Sequence, residues 1–175
     1  MGAGKTSTGA ALARLLGWHF VDLDDDIAAH AGQCIADIFA HHGEAHFRAE
    51  ETLHLTNILP HARSNHAPFV LALGGGAVEQ RENHKLLAEA PDTCIFYLEA
   101  PLEVLLARCS TPSELTGRRA RPLLAEAEMR YQHRVPLYES IGTTVSTYGF
   151  SAEDVASNIL SLLQMRNTAG PQPHS

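Results

Sequence analysis

Gly2-Ala3-Gly4-Lys5-Thr6 opens the chain, and few runs this short constrain a fold so tightly. It is the back half of the pattern G-x-x-x-x-G-K-[ST], a loop that joins a buried strand to a helix. In that setting Gly2 and Gly4 turn backbone N–H groups inward and Lys5 reaches toward β- and γ-phosphates. The Thr6 hydroxyl suits Mg²⁺. The run from Ser7 to Leu16 reads as a helix whose positive end faces the same anion. A glycine-rich start on an ordinary helix is the plain alternative. The pattern's leading glycine would fall two residues before Met1, so the strand that should enter the loop is expected to be missing.

Composition narrows the class. The 175 residues, 45% apolar and 19% charged, suit one domain with a sizeable core rather than a disordered chain. A formal net charge of −7 argues against a nucleic-acid partner. No apolar run approaches the roughly 20 residues of a membrane span, and no basic-plus-apolar leader is visible, so no membrane partner is expected. Cys34, Cys94 and Cys109 are odd in number and lack C-x-x-C spacing, which points to a reducing, cytoplasmic setting.

Short apolar runs alternate with amphipathic ones, the pattern of a parallel sheet wrapped by helices in three α/β/α layers. Strands are expected at 19–21, 69–73, 93–98 and 143–147. Helices are expected at about 26–30, from Ile35 past Gly43 to about Leu59, at 79–88, from Pro101 to about Arg108, from Arg121 to about Ser140, and at 151–165 with Ser151 as cap. Residues 1–166 form the expected single domain, 109–121 a lid loop, and 167–175 a disordered tail. Ile38, Phe39 and Leu53 are expected in the core. Phe39 and Phe47 are also candidates for a pocket wall.

Several groups could carry chemistry. Asp22 and Asp24 follow a strand, and in an extended segment their carboxylates would point the same way, one for Mg²⁺ through water and one for a substrate hydroxyl. Alone, the run Asp22-Leu23-Asp24-Asp25-Asp26 reads better as an acidic helix start. Arg48 and Glu51 share a helix face, either as a surface ion pair or as an arginine fork held by its glutamate for a substrate carboxylate. Gly74, Gly75 and Gly76 after a strand invite close approach of a ligand to the backbone, where a plain turn needs one glycine. Arg118, Arg119 and Arg121 lie where a lid over a phosphate site would carry them, and Arg134 is a further anion ligand. His42 and His46 stand at i, i+4 with nothing nearby to complete a metal set.

Together these pieces resemble the shikimate kinases, small nucleotide-monophosphate-kinase-like enzymes. The resemblance runs from Gly2 to about Leu163 and rests on GAGKT, FVDLD at 20–24, IADIF at 35–39, GEAHFRAEE at 43–51, LALGGGAV at 71–78, RPLL at 121–124 and RVPLY at 134–138. It implies transfer of the γ-phosphoryl of ATP to the 3-hydroxyl of shikimate with Mg²⁺, in a monomer. Gly2, Ala3, Gly4, Lys5, Thr6 and Ser7 would wrap the ATP phosphates, and Thr6 and Asp22 would hold the metal. Asp24 would act as base or orienter. Arg48, Glu51, Arg134 and the Gly74–Gly76 backbone would fix shikimate, with Arg121 as lid arginine and Arg108 beside adenine.

Three departures stand out: the absent strand and glycine, a long lid in which Arg118 and Arg119 compete with Arg121, and Tyr148-Gly149-Phe150-Ser151 where the family often has proline on adenine. Two rival readings remain open here. One is a truncated remnant, weakly active or only nucleotide-binding; the other is a kinase of another small hydroxy acid.

Overall fold

The structure, a computed structural model, describes residues 2–59, 67–109 and 120–168, with backbone alone for 120–124 and 167–168. In chain order it runs α1 (Lys5–Leu16), β1 (His19–Asp22), α2 (Leu23–Ala31), α3 (Ile35–Ile58), β2 (Phe69–Ala72), a 3₁₀ turn (Ala77–Glu79), α4 (Arg81–Ala88), β3 (Phe96–Glu99), α5 (Leu102–Cys109), α6 (Ala120–Ile141), β4 (Thr143–Ser146) and α7 (Ala152–Thr168). The expected lid, except its two ends, and most of the expected tail lie outside the described residues. Among the described residues no helix is long and apolar enough to cross a membrane.

The strands form two parallel pairs. β1 pairs with β2 in the register His19–Phe69 to Asp22–Ala72, and β3 pairs with β4 from Phe96–Thr143 to Glu99–Ser146. Among the described residues the two pairs are not joined to each other, and every strand has one bonded neighbour. The strand expected at 69–73 forms over Phe69–Ala72, and of its residues only Ala72 is buried, Phe69, Val70 and Leu71 being half-buried.

Local chemistry sets the element ends. Gly4 enters α1 at φ 80° and Gly17 leaves it at φ 67°, both left-handed conformations that favour glycine. Ser151 caps α7 as expected, its hydroxyl accepting from the Asp154 N–H at 3.1 Å. Three expectations need correction. The helix from Ile35 does pass Gly43, but Gly43 sits at φ 80°, ψ 171°, and breaks the helical path there. The helix expected over 79–88 is split, because Gln80 is extended between the 3₁₀ turn and α4. Leu53 is 52% exposed: Glu51 and Leu55, four apart, take the inward face of α3, which turns Leu53 outward.

Apolar packing gathers in three places. Leu12, Leu98, Leu105, Val145 and Ile159 join α1, α5 and α7 to the β3–β4 pair. Leu23, Ile27, Ile38 and Phe47 knit α2 to α3. Leu55, Val78 and Leu87 tie α3 to α4 and the 3₁₀ turn. The first cluster also holds Ala3, from the loop before α1, and Ala100, which follows β3. The other end of that loop meets β1, through the Thr6 hydroxyl.

Candidate active site

The loop, β1 and β2 bring one set of polar groups together. The Thr6 hydroxyl donates to Asp22 Oδ2 at 2.7 Å, and the second Asp22 oxygen accepts the Asp24 N–H at 3.1 Å. Asp22 is thus the N-cap of α2, and Asp24, Asp25 and Asp26 fill the helix's first turn. Of the two readings of Asp22-Leu23-Asp24, the extended one does not form; the acidic helix start, which the run alone favours, does. The cap still aims both carboxylates inward. Asp22 meets the loop, while Asp24 faces Lys5, Arg48 and the glycine run.

Burial gives these groups unusual proton affinities. Desolvation holds the Lys5 ammonium below its ordinary value, although Asp24 and Asp22 pull it back up. Desolvation also raises Asp24, helped by the Asp22 charge and opposed by Lys5 and Arg48. Asp24 Oδ1 is buried with no hydrogen-bond partner among the described residues. An orphaned carboxylate oxygen beside a lysine is an acceptor held ready for a hydroxyl.

Arg48 sits one helix turn before Glu51. Its Nη1 donates to Glu51 Oε2 at 2.9 Å and its Nη2 to Glu44 Oε1 at 3.1 Å. Glu51 is 0% exposed and Arg48 16%, so this pair is far from a solvated surface contact. Burial raises the Glu51 carboxyl, against the pull of Arg48. The glycines explain themselves by what a side chain would strike. A Cβ on Gly74 would lie 2.9 Å from Asp24 Oδ1 and 3.0 Å from Glu51 Oε1, and one on Gly76 2.5 Å from Arg48 Nη2. Gly75 offers its carbonyl to the Tyr138 hydroxyl.

Arg134 reaches the same place from α6. Its Nη2 donates to Glu79 Oε2 at 2.7 Å, while its buried Nε has no partner among the described residues. Glu79 and Tyr138 were not among the residues expected here. Their partners lie 55 and 63 residues away, and no short-range spacing encodes such a pairing. Arg108 stands at the other end of the loop. It donates to the Gly2 carbonyl at 3.1 Å and, at 3.4 Å each, to the hydroxyl and carbonyl of Thr147. Gly2 itself has φ 65°, and a Cβ there would lie 2.5 Å from the Leu105 carbonyl oxygen. Gly4 and Ser7 are exposed at the mouth and Ala3 is buried beneath. Arg118 and Arg119 lie outside the described residues. Arg121 is in the first turn of α6, its side chain outside them. The Phe39 and Phe47 rings meet at 4.7 Å, tilted by 35°, and the Arg48 guanidinium lies 5.3 Å from the centre of the Phe47 ring.

Asp22, Asp24 and Glu51 thus meet Lys5, the glutamate-paired Arg48 and Arg134, and a glycine run near the C-terminal ends of β1 and β2. Such a site can grip an anionic acid, accept a proton from a hydroxyl, and present a phosphate loop to it.

Comparison with known proteins gives the same direction. The sequence profile described as shikimate kinase matches residues 1–164. A shikimate kinase of Thermodesulfovibrio yellowstonii is 37% identical over 166 residues, spanning 91% of this chain and 88% of the relative. Among solved structures, shikimate kinase from Acinetobacter baumannii in complex with shikimate superposes with a TM-score of 0.81 at 33% identity, over 95% of this chain and 89% of that one. Shikimate kinase from Aquifex aeolicus gives 0.80 at 26% identity, over 97% and 95%. The fold is that of the phosphate-loop α/β/α kinases, and the chain belongs to the shikimate kinase family.

Proposed function

We propose that this chain transfers the γ-phosphoryl of ATP to the 3-hydroxyl of shikimate, giving shikimate 3-phosphate and ADP. The observation that carries the reading is the meeting of Asp24, Arg48, Glu51, Arg134 and Gly74–Gly76 beside Lys5. A carboxylate acid bearing hydroxyls matches that set: arginines for the carboxylate, Asp24 for a hydroxyl, backbone for the ring.

Gly2 to Ser7 would cradle the phosphates, Lys5 neutralising charge that spreads onto the γ-oxygens as the bond to ADP breaks. Asp24 would take the proton of the 3-hydroxyl on its unpartnered Oδ1 as that oxygen attacks phosphorus. Thr6 and Asp22 would hold Mg²⁺, Asp22 through water. Their oxygen donors, 2.7 Å apart, suit a hard cation. Bound there, the ion would offset phosphate charge. Arg108, joined to Gly2 and Thr147, would border the adenine. We place the enzyme in the cytoplasm as a monomer, consistent with three free, exposed cysteines.

The test is ADP release coupled to shikimate, with the product identified by mass. Shikimate-dependent turnover and a mass gain of one phosphoryl are expected. Turnover of another hydroxy acid in its place would reassign the substrate.

Two variants probe the assignments. Arg121→Ala should lower kcat more than it raises either KM, because a lid arginine acts on transition-state charge. A crippled Arg118→Ala or Arg119→Ala beside a mild Arg121→Ala would move the lid role within the loop. Gly76→Ala should press its methyl group on a guanidinium already pinned by Glu44 and Glu51. The shikimate KM should rise about tenfold, on the order of 1.4 kcal/mol, with the ATP KM little changed. Equal effects on both substrates would detach Arg48 from shikimate.

A further inference from the structure

The two arginines beside the glycine run are held in different ways. Arg48 and its partner Glu51 lie one turn apart on α3. Arg134 rises from α6, and its partner Glu79 ends the 3₁₀ turn that follows the glycines. Arg134 Nη2 donates to Glu79 Oε2 at 2.7 Å, and the two side chains are only 18% and 25% exposed.

The 3₁₀ turn is a firm base for this contact. Its first two residues, Ala77 and Val78, are buried. The Ala77 N–H donates to the Gly74 carbonyl at 3.2 Å and the Glu79 N–H to the Gly76 carbonyl at 3.0 Å. Asn83, itself buried, donates from Nδ2 to the Ala77 carbonyl at 3.1 Å. The Glu79 backbone is therefore fixed to the glycine run. From the other side, the Tyr138 hydroxyl, one turn beyond Arg134 on α6, donates to the Gly75 carbonyl, and the Tyr138 ring stacks on Tyr97 at 4.7 Å. Tyr138 fastens α6 to the glycines, and Glu79 fixes where Arg134 points.

Arg134 has a second carboxylate within range of its charge. It acts on Glu51, whose Oε1 is buried without a partner among the described residues. An arginine that nothing holds has many rotamers, and a guanidinium turned onto Glu51 would be lost to the cleft. Glu79 holds the planar group by Nη2, while the buried Nε has no partner among the described residues. A guanidinium pinned at one nitrogen presents its remaining N–H groups in fixed directions, as recognition of a carboxylate requires.

We propose that Glu79 is a positioning residue: it orients Arg134 toward the carboxylate of the substrate acid and keeps it off Glu51. Glu79 itself touches no substrate atom. The inference rests on the reading of Arg134 as a carboxylate ligand, and the experiment separates the two.

Steady-state kinetics and melting curves are compared for the unaltered chain, Glu79→Ala, Glu79→Gln, Arg134→Ala and the double variant Glu79→Ala with Arg134→Ala. KM is read for shikimate, or for the hydroxy acid that the unaltered chain accepts in its place. Glu79→Ala should raise that KM about tenfold, with kcat and the ATP KM changed by less than about twofold. Glu79→Gln keeps the length and an acceptor oxygen, so KM should return to within about threefold of the unaltered chain. Arg134→Ala should raise KM about ten- to 150-fold. Adding Glu79→Ala to it should raise KM no further, because nothing is left to orient. Additive losses in the double variant would overturn the proposal, since Glu79 would then act without Arg134. A lowered KM in Glu79→Ala would overturn it too, by showing that Glu79 competes with the acid for the guanidinium. A loss of kcat and Tm that Glu79→Gln does not rescue would reduce Glu79 to a structural contact. If Arg134→Ala raises KM and Glu79→Ala does not, the positioning role alone falls. If Arg134→Ala leaves KM unchanged, the reading of Arg134 falls first and takes the positioning role with it.

Discussion

Asp24→Asn should lower kcat by about 10²- to 10⁴-fold, the range that a positioned general base contributes. Asn keeps the size and the hydrogen-bonding reach of the side chain but cannot take the proton of the hydroxyl. The rest of the site should hold its shape, since the Asp22 cap depends on the Asp24 backbone N–H and not on its side chain. The shikimate KM should move far less than kcat.

A pH profile and a melting curve separate this from simple damage. Burial, then the charge of Asp22, raises the Asp24 carboxyl above its ordinary value. The ionised form is the base, so kcat/KM should fall as pH drops through that raised value. The acidic limb should therefore lie above the ordinary carboxylate range and disappear in Asp24→Asn. Stability has the opposite sign. A carboxyl raised in the folded state binds its proton more tightly there than in the unfolded chain. Its stabilising share is present at low pH and is lost as pH rises through the interval between the two values. At neutral pH the ionised Asp24 thus works against the fold, and the Asn variant should melt at the same temperature or higher. A fall in Tm that parallels the loss of activity would sink the assignment.

What the sequence makes legible here, and what it does not, follows from range. The Arg48–Glu51 pair is an i, i+3 relation on one helix, and it forms. The Ser151 cap and the loop glycines are likewise local, and each takes the conformation its residue types favour. Asp24 is more instructive. A strand continued past Asp22 and a helix begun there fit the same five residues. The helix wins because the Asp22 side chain captures the Asp24 N–H. Leu53 failed as a core residue because hydropathy alone ignores which face a helix presents. The ion-paired Glu51 holds the inward face that the leucine would otherwise have claimed. Glu79 and Tyr138 were invisible, since their partners lie on another element. The parallel α/β/α class was legible from alternation of short apolar and amphipathic runs. The arrangement of the strands as two separate parallel pairs among the described residues was not legible, since which strand pairs with which is a long-range relation.

Arg48→Ala should fail in two separable ways. A hydrogen bond to a charged group contributes roughly 1.5–3 kcal/mol, so loss of the carboxylate clamp should raise the shikimate KM about ten- to 150-fold and leave the ATP KM nearly unchanged. The second failure is structural. Glu51 is 0% exposed and its Oε1 already lacks a partner among the described residues, so without Arg48 a buried carboxylate is left unpaired. Breaking a buried pair in this way costs roughly 3–5 kcal/mol, or about 6–20 °C in Tm for a chain of this size. Burial already raises the Glu51 carboxyl, and removing the arginine that opposes this raises it further. The variant should therefore be most stable in acid and lose stability as pH rises through that interval. The double variant Arg48→Ala with Glu51→Gln removes the stranded charge. It should recover most of the lost Tm and none of the lost shikimate affinity, because the two effects belong to different partners of the same guanidinium. Steady-state kinetics and melting curves on the three proteins decide it. An unchanged shikimate KM in Arg48→Ala would remove Arg48 from the substrate site. If the double variant recovered KM together with Tm, the clamp would have been an effect of folding alone.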